Sequence, residues 1–119
     1  MIKNLTLFSS LALLSTSAFS ADTDMQAQMD ALNAKIEKME KPVIAKINGF
    51  CFGMAFELAL ACDFRFCTES ALFHMLESKL GMNPDVGGTI RLVRLVGIPN
   101  TKDIILTGRK FDGIEAYRL

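Results

Sequence analysis

The sequence predicts an α/β fold, and three observations carry that prediction. Short β-branched or phenylalanine-rich runs ("PVIAKI", "DFRFCT", "ALFH") alternate with runs of strong helix formers such as "ELALAC". Glycine and proline stand where one kind of run gives way to the next. Half of the 119 residues are apolar and 22% are charged, which is enough apolar surface for one small packed domain. Lys plus Arg number 13 and Asp plus Glu number 13, so no basic excess marks a nucleic-acid partner. Cys51, Cys62 and Cys67 lack C-x-x-C spacing and sit in apolar runs. With His74 as the single histidine, they read as buried thiols and no metal site is expected.

Three segments follow one another. Residues 1–20 begin with Lys3, continue through an apolar run centred on Leu11–Leu14 and close on Ala18-Phe19-Ser20. That order predicts a secretory signal peptide cut after Ser20, with no stable membrane span left once it is removed. Residues 21–41 place Met25, Met29, Leu32, Ile36 and Met39 at alternating spacings of four and three. The pattern predicts a helical heptad linker, either a surface helix or a short association seam. Acids Asp22 and Asp24 stand early and Lys35, Lys38 and Lys41 late, which suits the helix dipole; Pro42 ends the helix.

From residue 42 to 119 the α/β pattern takes over. Val43–Asn48 reads as a strand that meets a turn at Gly49. Ala55–Cys62 reads as a helix and Asp63–Cys67 as the next strand. "ALFH" is a second short strand and "GMNPDVGGT" a turn. One helix follows from "VGGTIRLVRLVG" and another after Pro99. Asp112 caps a last helix, with Glu115 three residues on as in a capping box. Two glutamates in this part, Glu57 and Glu77, are set among apolar neighbours, where a carboxylate is costly unless it is paired, protonated or used.

Taken in order, "KPVIA", "INGF", "ELALACDFR", the "LG…P…GGT…RL…R…VG" series and "LTGR" with its following Phe111 closely resemble the middle of the enoyl-CoA hydratase/isomerase (crotonase) superfamily. The resemblance runs from about Lys41 to Leu119. It implies a partial crotonase-like spiral of ββα turns, preceded by the N-terminal helical segment. It also implies syn addition of water to a trans-2-enoyl-CoA thioester in acyl-CoA (fatty-acid) metabolism. Coenzyme A is then part of the substrate and no separate cofactor is expected. By that resemblance Glu57 takes a proton from water and Glu77 delivers one to the α-carbon. The backbone N–H of Met54 would be one donor of an oxyanion hole.

Some positions depart from the family pattern. Met54 and Ala55 replace glycines, Leu76 stands where Pro is common, and Asp85 where many hydratases have Gly. They keep an enoyl-CoA isomerase or acyl-CoA hydrolase open as alternatives. Gly87-Gly88-Thr89 points to close backbone contact rather than to a phosphate seat. Arg91 and Arg94 read as solvated or subunit-contact arginines, and His74 as a packed polar residue.

Family members form homo-oligomers through C-terminal helices that the resembling stretch does not include. The expectation is therefore a fragment with little activity alone, an envelope-type start joined to hydratase sequence near Lys41. The crotonase part implies the cytoplasm and the N-terminus implies export to the periplasm. The competing reading is an exported, non-catalytic envelope protein that associates through its heptad helix.

Overall fold

A computed structural model describes residues 24–119. The expected signal peptide, residues 1–20, lies outside the described residues. Helix α1 is helical through residues 24–37. Strand β1 (Ile44–Ile47) turns at Gly49 into β2 (Phe50–Phe52), and α2 (Met54–Ala61) follows at once. Strand β3 (Phe64–Cys67) leads to β4 (Leu72–His74), and a 3₁₀ turn occupies Glu77–Leu80. Helix α3 spans Gly88–Thr107, β5 is Lys110–Asp112 and α4 is Gly113–Arg118.

The strands lie in two sheets. β1 pairs with β3 in parallel, Ile44 opposite Phe64. β2 pairs with β4 in parallel, Phe50 opposite Leu72, and β5 closes that sheet antiparallel to β4. The chain thus passes from the first sheet to the second, returns through α2 to the first, and crosses to the second again; α3 then leads to β5 in that second sheet. This is the ββα winding expected from the resemblance. β2 and β5 were not expected as strands: each is three residues long and abuts a turn, too short for alternation to show.

The core sits between the sheets and the helices. Phe56 of α2, Phe73 of β4 and Phe111 of β5 form a cluster with ring centroids 5.3–5.8 Å apart. Such pairs add to the stabilisation that burial alone gives. Met75, Leu92 and Ile104 complete the fully buried set around them. On β3 the alternation is real but polar side in. Phe64 and Phe66 are exposed, while Arg65 turns back to donate to Cys62 O at 2.6 Å and Ala59 O at 3.3 Å. Its guanidinium thereby covers carbonyls at the C-terminal end of α2, adding to the Cys62 N–H bond that Ala59 O already accepts.

Helix α3 consists of two arms. Gly97, at φ 76° and ψ 170°, is not helical, and Pro99 opens the second arm. The two helices expected from the sequence are these arms. Thr101 Oγ1 donates to Gly97 O at 2.8 Å and Asn100 Nδ2 to Val96 O at 3.0 Å, which closes the joint. At the far end, Asp112 accepts from the Glu115 N–H at 2.8 Å and caps α4 as expected.

The buried contacts of α1 run through Asn33, with Met29 and Ile36 half-buried, whereas Met25, Leu32 and Met39 of the heptad pattern are exposed. Two expectations need correction. Arg91 is not solvated: it donates to Val86 O and to Glu37, both at 2.6 Å. Of the thiols only Cys51 is buried; Cys67, near the end of the open β1–β3 pair, is exposed. Burial pushes the Cys51 thiol up to about 11, with the neighbouring Cys67 adding to the shift.

Candidate active site

The site begins where β2 and β4 end. Gly53 N donates to His74 O at 2.9 Å, extending the β2–β4 ladder by one bond past β2. Gly53 then turns with φ 55° and ψ −127°, a conformation in the positive-φ region that glycine enters without a Cβ clash. Its carbonyl accepts from Phe56 N and Glu57 N, so α2 starts directly above the strand end. His74 is packed as expected, its Nε2 2.8 Å from Gly108 O and its ring edge-on to Phe52.

Glu57 lies in the first turn of α2 and is 1% exposed. Its Oε1 accepts from the backbone N–H of Gly88 at 2.8 Å, at the first turn of α3. The absence of a side chain at Gly88 makes this approach possible: a Cβ there would collide with Glu57 Oε1. Close backbone contact at Gly87-Gly88 was the expectation, and the group it contacts is a carboxylate.

Glu77 opens the 3₁₀ turn after β4 and is 6% exposed, not a solvated loop acid. Its Oε1 lies 3.0 Å from the point a Gly53 Cβ would occupy, so it rests against the turn that launches α2. Its Oε2 is buried without a hydrogen-bond partner. Leaving a buried acceptor unpaired costs about 1–3 kcal/mol, more for a charged one. The two glutamates therefore come from the C-terminal ends of adjacent parallel strands, on one rim of the sheet.

Electrostatics link them. Glu57 is pushed up to about 7. Burial is the largest cause; the charges of Glu77 and Asp85 raise it further, and the amides of Gly88 and Val86 pull it back. A carboxyl that titrates near neutrality can accept or return a proton at little cost. Met54 is the first residue of α2, so its N–H is one of the helix's unpaired amides and lies next to Gly53. Asp85, Val86 and Gly88 belong to the site although they were not expected there as participants. The signal for Gly88 was the double glycine; Asp85 showed only as a departure from the family pattern.

A cavity of about 880 Å³ lies elsewhere, lined by Ile47, Phe56, Leu60, Phe73, Leu92 and Ile104 among others. Neither Glu57 nor Glu77 lines it.

Comparison with known proteins decides the family. The sequence model of the enoyl-CoA hydratase/isomerase family matches residues 9–119. The chain belongs to the enoyl-CoA hydratase/isomerase family. The match to this family reaches back past Lys41 and takes in α1. Among curated relatives, carnitinyl-CoA dehydratases of Citrobacter koseri and Salmonella paratyphi B are each 46% identical over 84 residues, 71% of this chain and 32% of theirs. The chain thus spans about a third of the length of the curated relatives it matches. An enoyl-CoA hydratase from Bacillus anthracis superposes with a TM-score of 0.80 at 38% identity, over 83% of this chain and 38% of that one. An enoyl-CoA hydratase from a Polaromonas species gives 0.75 at 30% identity, over 91% and 43%. The winding described above is accordingly part of the crotonase fold. No helix among the described residues is long and apolar enough to cross a membrane.

Proposed function

We propose that this chain carries the acid–base half of a hydratase-type site acting on an acyl-CoA thioester. One observation supports this most: two buried carboxylates lie just past the ends of adjacent parallel strands, neither in an ion pair among the described residues, one raised toward neutrality and the other with an unpartnered oxygen. A water between them would fill the vacant acceptor of Glu77. In the hydration direction Glu57 removes a proton from that water as its oxygen attacks the β-carbon of the enoyl thioester. Glu77 delivers a proton to the α-carbon. In the dehydration direction the same steps run backwards, so the dehydratase name of the relatives is compatible with the same pair. The Met54 N–H would bind the thioester oxygen as negative charge develops there.

Met54 is the one such donor proposed among the described residues, and an oxyanion hole short of one donor loses on the order of 10²–10³ in rate. We therefore expect slow turnover from these 119 residues alone. The test is hydration of crotonyl-CoA and dehydration of carnitinyl-CoA by purified chain and by Glu57→Gln and Glu77→Gln. Each substitution should lower any measured rate by roughly 10²–10⁴-fold. Rates that are the same in all three proteins would sink the assignment.

A further inference from the structure

Helix α1 reaches the site through one peptide group. Asn33 is 4% exposed, and its Nδ2 donates to Val86 O at 3.1 Å. Arg91 Nη1 donates to the same oxygen at 2.6 Å, and Arg91 Nη2 donates to Glu37 of α1 at 2.6 Å. The Arg91 backbone N–H donates to Gly87 O at 3.1 Å. Two donors thus fix the peptide between Val86 and Gly87, and a third fixes the next one, between Gly87 and Gly88. That second peptide carries the N–H that bonds Glu57. Gly87, at φ 87°, is the flexible joint between them and has no side chain to hold it.

Asn33 is poorly suited to a purely packing role. Its Oδ1 is buried with no partner, a cost that an apolar side chain at this position would avoid. What the amide supplies is the bond to Val86.

We propose that Asn33, Arg91 and Glu37 form a clamp that positions the Val86–Gly88 backbone against Glu57 and so sets the proton affinity of the site. They are positioning residues and touch no reacting atom. The groups that face Glu57 directly are Glu77, Asp85 and the amides of Val86 and Gly88. Only the amides favour its charged form, and the Gly88 amide belongs to a peptide that the clamp holds. The catalytic meaning of the clamp rests on the role proposed for Glu57; its structural content does not.

The test is a carbon-13 NMR titration of the Glu57 side-chain carboxyl in the full chain, which needs no turnover. Asn33→Ala should move the Glu57 midpoint upward, on the order of one unit if the amide bonds are lost. Arg91→Lys keeps the charge but loses the fork, and Glu37→Gln keeps an acceptor for Arg91; both should move the midpoint in the same direction by less. Leu32→Ala, on the exposed side of α1, should leave it where it is. If Asn33→Ala does not fold, Arg91→Lys and Glu37→Gln decide. A Glu57 midpoint that stays put or falls in the folded clamp variants overturns the proposal, whether or not the chain hydrates crotonyl-CoA.

Discussion

Two helix N-termini in this protein receive a carboxylate oxygen on a backbone N–H at 2.8 Å. At α4 the acceptor is Asp112, three residues before its donor Glu115. At α3 it is Glu57, thirty-one residues before its donor Gly88. The bonds have the same length and the same kind of donor, yet their settings differ. Asp112 is half-buried and belongs to the helix it caps. Glu57 is buried, belongs to another helix, and has Glu77 and Asp85 for neighbours instead of a cation. The first arrangement caps the start of a helix. The second holds an ionisable group where ionising is expensive, and the proton-transfer role proposed for Glu57 rests on that setting.

The largest test of that contrast is pH. The folded value of Glu57, about 7, lies above its ordinary 4.5. Between those values the folded chain holds a proton that the unfolded chain has released. The stabilisation is therefore complete below 4.5 and is lost as pH rises through 7. The amount is about 3 kcal/mol, at 1.36 kcal/mol per unit. Denaturant unfolding of the wild type across that range should show the decline, and Glu57→Gln should flatten it. An equal slope in both proteins would place the titrating group elsewhere.

Next comes Gly88→Ala, which pushes a methyl group into the Glu57 carboxyl. Overpacking of this kind costs about 1–3 kcal/mol, and the loss should show as a lower denaturation midpoint. Smaller again is Asp112→Ala, which removes a cap worth about 1 kcal/mol and should leave the Glu57 titration untouched. An Asp112→Ala protein with an altered Glu57 midpoint would mean that the two ends are not independent.

The smallest effect belongs to the ion cluster beside α4. Arg109 pairs with Asp103 at 2.6 Å and with Glu115 at 2.5 Å, all three partly exposed. Solvent and salt screen such pairs, so Arg109→Lys should cost about 0.5 kcal/mol or less and the difference should shrink at high salt.

The same contrast explains what the sequence could show. Asp112 and Glu115 are neighbours in the chain, so the capping box could be read directly. The strands β1, β3 and β4 and the helices were legible for the same reason, since alternation and helix-former runs are local patterns, whereas β2 and β5 were too short to show one. Gly88 gave only the hint of a paired glycine, because its partner lies across the fold. Asn33 gave no hint at all. It sits one residue beyond the heptad position Leu32, and only the packed structure shows that α1 turns the amide inward and leaves Leu32 out. The role of Glu57 and Glu77 came from family resemblance, since apolar neighbours alone did not separate a working acid from a surface one.

The joint at Gly97 has a mechanical consequence. A straight helix of twenty residues, about 30 Å long, would act as a stiff rod, so that a push at one end tilts the other. Here the rod is broken near its middle and stapled by two side-chain bonds. The arm beyond the joint packs Ile104 into the core and leads to β5, while the arm before it aims the Gly88 amide at Glu57. The bend at Gly97 therefore lets one continuous segment serve two headings, one set by the Gly88 amide and the other by the packing of Ile104.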